Sequence, residues 1–212
     1  MSSMVSRSRS ELEQAEDRHK KHLETAEKTG RKEDMAEAYG NLGTIYLALG
    51  HLENAEAMFK KSLEIEETLA DKTGMASDYG YLGTISQMRG NLDQAETMYK
   101  KSLKINQDLN REEGMAIVYG KLGEVFYTRR DLDEAKEMFE KSLEMEKKFD
   151  NKQAMAKAYG YLGDIYRIRM DLEQAEAMYK KGLALFEATG SKQMIEIMRT
   201  MLINLHKRKK QS

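Results

Sequence analysis

Apolar residues recur along this chain at helical spacing, in two blocks that return every 40 residues. The first block reads YGNLGTIY and returns in similar form from Tyr39, Tyr79, Tyr119 and Tyr159. The second block reads LENAEAMFKKSL and returns from Leu52, Leu92, Leu132 and Leu172. Within both blocks the apolar positions lie three or four residues apart, which places them on one face of a helix. Each unit is therefore predicted to be a helix A, a short turn and a helix B.

The residues between the two blocks favour a tight turn. Gly50 and Gly90 stand where the last residue of a helix adopts a left-handed conformation. The positions that follow are His51, Asn91, Asp131 and Asp171, and three of these four are good N-caps. Capping boxes are predicted with the residues three positions further on, Gln94, Glu134 and Gln174.

This unit resembles the tetratricopeptide repeat (TPR). The pattern of that family consists of a large residue, a Leu-Gly pair, a Tyr, an Ala and an aromatic residue. In the first repeat of this chain these positions are, in order, Tyr39, Leu42, Gly43, Tyr46, Ala55 and Phe59. The match recurs four times and covers residues 35 to about 190. The usual repeat of that family is about 34 residues long, and it carries a Pro near the end of helix B that is absent here. The longer helix B is similar to that of Pins-type scaffolds, kinesin light chains and bacterial signalling proteins.

The resemblance implies an all-α fold, a right-handed α-solenoid of antiparallel helix pairs with about ten helices in one domain. The predicted segments are a disordered leader (1–10), an N-terminal half-repeat helix (11–30), four repeats (35–70, 75–110, 115–150 and 155–190) and a C-terminal capping helix (192–208). Ser10 and Glu13 predict a capping box at the start of the first helix. Arg18 and His19 occupy core-equivalent positions there, which favours a polar cap; the alternative is a boundary that cuts through a repeat.

Composition narrows the classes of function. The 212 residues include no Cys, no Pro and no Trp, and 35 basic side chains stand against 36 acidic ones. The lack of Cys removes thiolate catalysis and thiolate metal sites. The balanced charge gives no general attraction to nucleic acid or to anionic membranes, and no apolar run approaches the roughly 20 residues of a membrane span. We expect a cytoplasmic protein that binds neither nucleic acid nor membrane.

No catalytic, cofactor or metal site is predicted. His19 and His22 lie three residues apart on the first helix, but no carboxylate-rich group accompanies them as a metal site would require. Acidic residues recur beside Lys partners, as Glu56 does with Lys60, which is typical of a solvated helix face. The G-x-x-G of each helix A lies inside a helix and therefore does not form a phosphate-binding loop. We expect a protein that is not an enzyme.

The resemblance also implies that helix A lines a concave groove that binds a partner. The inward positions are the residue before the Leu-Gly pair, the residues one and four places after its Gly, and the residue five before the pair. The predicted groove residues are Asn41, Thr44, Leu47, Tyr81, Thr84, Gln87, Lys121, Glu124, Tyr127, Lys157, Tyr161, Asp164 and Arg167. The fourth position also gives Glu37, Ser77 and Ile117.

These positions differ between repeats while the packing positions hardly change. A bound partner constrains each repeat differently, so this variation favours a recognition surface; the alternative is the free drift of exposed residues. Tyr81, Tyr127 and Tyr161 favour recognition, because Tyr is enriched at interfaces. A Gly inside each helix A, at Gly40 and its equivalents, costs about 1 kcal/mol. It is explained either by close helix packing or by a groove floor that stays open to a ligand.

The predicted function is a protein–protein interaction scaffold that holds a peptide or helical segment of a partner in the groove. The alternatives are a regulatory or sensor segment of a larger signalling protein and a self-assembling module. Some TPR domains hold a C-terminal carboxylate with a Lys/Asn/Arg clamp, but here Gly40 and Tyr81 replace the Lys and one Asn, and only Lys121 fits. We expect a monomer, with self-association through the end helices as the alternative.

Overall fold

The computed structural model describes the backbone of residues 2–209 and the side chains of residues 9–209. This part of the chain contains ten helices and no strand: α1 (Ser2–Thr29), α2 (Lys32–Ala48), α3 (Leu52–Leu69), α4 (Lys72–Met88), α5 (Leu92–Asp108), α6 (Glu112–Arg129), α7 (Leu132–Lys148), α8 (Lys152–Ile168), α9 (Leu172–Thr189) and α10 (Lys192–Lys209). The helices fall into two compact units, one ending at Leu109 and the other beginning at Asn110.

The first unit consists of α1 to α5. Helices α2 and α3 pack as one antiparallel pair and α4 and α5 as another, while α1 packs on α2 and α3 packs on α4. Leu42, Phe59 and Ile85 form its buried core together with Tyr46 and Leu82. These are the apolar positions of the two sequence blocks, so the helical spacing alone accounts for the faces that meet.

The second unit consists of α6 to α10 and repeats this arrangement. Helix α6 pairs with α7 and α8 pairs with α9, while α7 packs on α8 and α10 packs on α9. One buried cluster contains Phe139, Leu162 and Ile165. A second cluster joins Phe186 of α9 to Met198 of α10. Helix α10 therefore covers the apolar face of α9.

The Gly of each Leu-Gly pair allows helix B to approach helix A. A Cβ atom at Gly43 would lie 2.8 Å from the ring of Phe59, closer than any ordinary contact. The same holds for Gly83 against Tyr99, Gly123 against Phe139 and Gly163 against Tyr179. At the other Gly position of helix A the four repeats differ. A Cβ atom would be tight at Gly120 and Gly160, 3.3 Å from the Ser142 hydroxyl and 3.1 Å from Met198 Cε. Cβ atoms at Gly40 and Gly80 would meet only a Ser hydroxyl, at 3.7 and 3.8 Å. Close packing therefore does not explain those two residues.

The turns between helices A and B differ from the prediction. Gly50 and Gly90 adopt left-handed conformations, as predicted, with φ values of 78° and 79°. The predicted capping boxes do not form, because the backbone N–H groups of Asn91, Asp131 and Asp171 donate back to the carbonyls of Ser86, Phe126 and Tyr166 at 2.9 to 3.0 Å. Of these three N-caps only Asp171 uses its side chain, which accepts from the N–H of Gln174.

The N-terminal segment also differs from the prediction. Helix α1 already includes residues 2–10, where a disordered leader was predicted, and Met1 lies outside the described residues. Ser10 therefore lies within the helix and is not its N-cap. Since this stretch contains neither Gly nor Pro, no residue in it interrupts the helix.

Ion pairs connect successive repeats within each unit. A basic residue at the C-terminal end of a helix A pairs with an acid near the start of the preceding helix B, as Arg89 does with Glu56 and Lys209 does with Glu176. Arg169 pairs with Asp133 in the same way. None of the described helices is long and apolar enough to cross a membrane.

Candidate partner-binding groove

The predicted groove residues of the first unit are partly buried except for Tyr81, and they are engaged with neighbouring groups. Leu47 packs against the core of the unit, and the Thr44 hydroxyl donates to the carbonyl of Asn41 at 2.8 Å. Tyr81 is 38% exposed, and its ring stacks on Phe59 of the preceding repeat, with centroids 4.6 Å apart and planes at 8°. One face of the Tyr81 ring is therefore used in repeat packing.

Two further predicted residues of this unit bind a tyrosine of their own helix B. The Tyr99 hydroxyl donates to Gln87 Oε1 at 2.9 Å and lies 3.1 Å from the Thr84 hydroxyl. In the first repeat the equivalent helix B residue is Phe59, which carries no hydroxyl, and Leu47 stands in the place of Gln87. Part of the variation between repeats therefore follows from packing.

The second unit shows the same alternation between Phe and Tyr. Tyr161 stacks on Phe139 with centroids 4.6 Å apart. The Tyr179 hydroxyl donates to Asp164 Oδ1 at 2.8 Å and accepts from Arg167 Nε at 3.2 Å. Burial and the Asp164 carboxylate raise the pKa of Tyr179, so this hydroxyl stays protonated. Asp164 and Arg167 also pair with each other at 2.7 Å, which neutralises both charges.

The remaining predicted residues of this unit lie close to Tyr161. The Tyr127 ring meets that of Tyr161 edge to face, with centroids 5.3 Å apart. Burial raises the pKa of Tyr161 to about 12. Lys121 pairs with Glu124 at 3.2 Å. Lys157 differs from these residues, since it is exposed and makes no ion pair with any residue that the structure describes.

Three adjoining cavities follow the A helices of the second unit, and we call them together the second-unit groove. Their volumes are about 250, 300 and 390 Å³. The first two share Glu124, Lys157 and Tyr161, and the last two share Asp164 and Met201. Six predicted residues line this groove: Lys121, Glu124, Lys157, Tyr161, Asp164 and Arg167. Tyr127 does not line it.

Several residues of the second-unit groove were missing from the predicted set. Ile197, Met201 and Asn204 come from α10, which was predicted only as a cap. They stand 40 residues after Lys157, Tyr161 and Asp164, so the repeat offset could have identified them. Ile117 also lines the groove, and it occupies one of the four inward positions predicted from the sequence. Glu146 comes from a helix B and gave no sequence signal, because the resemblance implies a groove lined by helix A alone.

The groove combines exposed apolar groups with polar ones. Ile117 is 55% exposed and Ile197 is 38% exposed, and both lie along the cavities. Apolar side chains exposed in a concave surface that also carries polar groups are typical of a binding site. Among the described residues no group of His, Cys, Asp and Glu could hold a metal ion.

The alternating helices, the repeat of 40 residues and the glycine contacts define a helical repeat protein of the tetratricopeptide type. A family model named the MalT-like TPR region matches residues 2–162, and the chain belongs to this family. No curated protein matches the chain at a significant level.

Several solved structures share the fold of this chain. The apo form of RapI has a TM-score of 0.83 at 15% identity, over 92% of this chain and 71% of that one. BtubC from P. vanneervenii has a TM-score of 0.69 at 20% identity, over 94% of this chain and 92% of that one. The STAND-class ATPase with a tetratricopeptide repeat sensor from Pyrococcus horikoshii has a TM-score of 0.74 at 22% identity. The match covers 85% of this chain but 28% of that one. The predicted fold class is therefore confirmed.

Proposed function

We propose that the chain is a protein-interaction scaffold that binds a segment of a partner protein in the second-unit groove. The observation that carries this proposal is the continuity of the three cavities, which share lining residues along α6, α8 and α10. The exposed Ile117 and Ile197 give a partner apolar area to cover.

The expected affinity follows from those apolar groups. Complete burial of one Ile side chain stabilises a complex by roughly 1.5–3 kcal/mol. The paired charges Lys121–Glu124 and Asp164–Arg167 add specificity more than affinity, since each is already neutralised within the groove. A micromolar dissociation constant, about 8 kcal/mol, is the expected range for a short segment.

A sensor segment of a larger signalling protein is the second candidate. The similar STAND protein carries a tetratricopeptide sensor, and this chain spans 28% of its length. In this candidate the same groove binds the signal, and a domain outside this sequence gives the output. In both candidate functions the chain is a cytoplasmic monomer that binds its partner or signal and catalyses no reaction.

Peptide display tests the groove directly. The chain is panned against a library of random dodecapeptides, and the affinity of enriched peptides is measured by fluorescence anisotropy. Ile117→Ser is compared with Ile203→Ser, because both side chains are 55% exposed and only Ile117 lines the groove. We expect Ile117→Ser to weaken binding about tenfold or more, and Ile203→Ser by less than about twofold. Equal effects of the two substitutions would place binding outside the groove and overturn the proposal.

A further inference from the structure

The first cavity of the second-unit groove has a carboxylate at its base. Glu146 of α7 is 3% exposed and lines the cavity beside the buried residues Ala116, Ser142 and Ala158. Ile117 and Lys157 are exposed and line its mouth. Asn151 donates a hydrogen bond to this carboxylate, but no cation among the described residues balances its charge, and a buried charge is costly unless it is paired.

The cavity exists because one residue of the next repeat is small. In the first unit the equivalent acid, Glu66, meets the buried carboxyl of Asp78 and accepts from the Ser62 hydroxyl at 3.3 Å. Ala158 stands in the place of Asp78 and leaves the space beside Glu146 open. One repeat later, Phe186 stands in the place of Glu146 and Met198 in the place of Ala158, and the two side chains pack together in a buried cluster.

The electrostatics of the cavity favour a cation. Burial raises the pKa of Glu146, and the negative charge of Glu113 raises it further, while a hydrogen bond from Asn151 lowers it. No basic residue among those described forms an ion pair with Glu146. Two lysines line the same cavity. Lys121 is paired with Glu124, and Lys157 is solvent-exposed, so water and salt screen its repulsion of a cation that enters.

We propose that this cavity receives a Lys or Arg side chain of the partner segment, whose charged head binds the carboxylate of Glu146. This inference rests on the proposed function and names the chemistry of the partner. The volume of about 250 Å³ suits a side chain, since pockets for drug-sized ligands have roughly 300–1,000 Å³. The alkyl stem would pack against Ile117 and Phe139, as long basic side chains do on apolar surfaces.

Small amides test the cavity without any knowledge of the partner. The ¹⁵N-labelled chain is titrated with N-acetyl-arginine amide and with N-acetyl-citrulline amide, a neutral analogue of nearly the same shape, and amide shifts are followed by NMR. We expect saturable shifts around Ala116 and Ala158 with the arginine compound, and binding about tenfold or more weaker with the citrulline compound. Equal binding of the two compounds would overturn the proposal.

Two variants assign the effect to the carboxylate and to the space beside it. Glu146→Gln should abolish the preference for arginine, whereas Glu144→Gln, which removes an exposed acid from the same helix, should preserve it. Ala158→Val introduces the residue found at the equivalent position 118 and should block the cavity with Glu146 still present. An unchanged preference for arginine in Glu146→Gln, or unchanged arginine binding in Ala158→Val, would overturn the proposal.

The display peptides separate this inference from the function on which it rests. Peptides that need Ile117, contain Lys or Arg and lose affinity with Glu146→Gln would support both. Peptides that need Ile117 but bind Glu146→Gln as well as the parent would overturn the inference and leave the groove function standing.

Discussion

The ring of Tyr161 stacks on the ring of Phe139 in the preceding repeat, with centroids 4.6 Å apart and planes at 7°. Tyr81 stacks on Phe59 with the same separation in the first unit. From the sequence, these tyrosines were interpreted as part of a surface that recognises a partner, because Tyr is enriched at interfaces. The structure adds a second role, since each ring also covers the aromatic residue of a neighbouring helix pair.

The stacked tyrosines are therefore expected to affect stability. Tyr161→Ala should lower the free energy of unfolding by about 2 kcal/mol or more, because it removes a partly buried aromatic ring from its stack. Tyr161→Phe keeps the stack and should cost less than about 0.5 kcal/mol. Urea denaturation checks both values. An unchanged midpoint for Tyr161→Ala would show that the stack contributes nothing to stability.

The glycines inside helix A should respond to substitution in opposite ways. Gly40→Ala and Gly80→Ala should each stabilise the chain by about 1 kcal/mol, since Ala favours the helix and its Cβ meets only a Ser hydroxyl at 3.7 or 3.8 Å. Gly43→Ala should destabilise it by about 1–3 kcal/mol, because its Cβ would overlap the Phe59 ring at 2.8 Å. Thermal unfolding of the three variants checks the signs. A loss of stability in Gly40→Ala would contradict the first expectation.

The buried carboxyl pair of the first unit should make stability depend on pH. Burial and the neighbouring Glu66 raise the pKa of Asp78 to about 8 from 3.8, and Asp71 adds in the same direction. A raised pKa means that the folded state holds the proton more tightly than the unfolded state. The stability that protonated Asp78 adds to the folded state is therefore fully present below about pH 4. It is lost as the pH rises from about 4 to about 8.

Denaturation at several pH values checks this expectation. Asp78→Asn should be more stable than the parent at pH 8 by about 1–3 kcal/mol and should lose most of this advantage at pH 4. Asp17→Asn removes an exposed carboxyl from α1 and serves as the control. A stability difference between Asp78→Asn and the parent that is the same at both pH values would rule out the titration of Asp78 as its cause.

The left-handed residues in the turns between helices A and B are expected to affect stability. Met170 and Arg130 adopt left-handed conformations, with φ values of 62° and 72°, at the positions that Gly50 and Gly90 occupy in the first two repeats. Met170→Gly and Arg130→Gly should each stabilise the chain by about 1 kcal/mol, because a residue with a Cβ is strained there. Gly90→Ala should destabilise it by a similar amount. Calorimetry checks the signs; destabilised Met170→Gly and Arg130→Gly would show that side-chain contacts outweigh the strain.

Local features of the sequence were enough to predict most of the fold. The helix pairs and the positive φ at Gly50 and Gly90 follow from spacing and backbone sterics that act over a few residues. The predicted capping boxes failed for a reason that lies across the turn, because the N–H of Asn91 is already donated to Ser86 of the preceding helix. The local motif does not reveal that competition.

The sequence by itself determined the repeat, the alternation of helices A and B and the face of helix A from which a groove is built. Only the tertiary structure decided which groove residues are already engaged, since the partner of Asp164 is a hydroxyl on another helix, that of Tyr179. It also decided that the carboxylate of Glu146 lies beside open space, because that space depends on the small side chain of Ala158 in the next repeat. Periodicity fixes the direction in which a side chain points, whereas the volume left around that side chain depends on residues far away in the sequence.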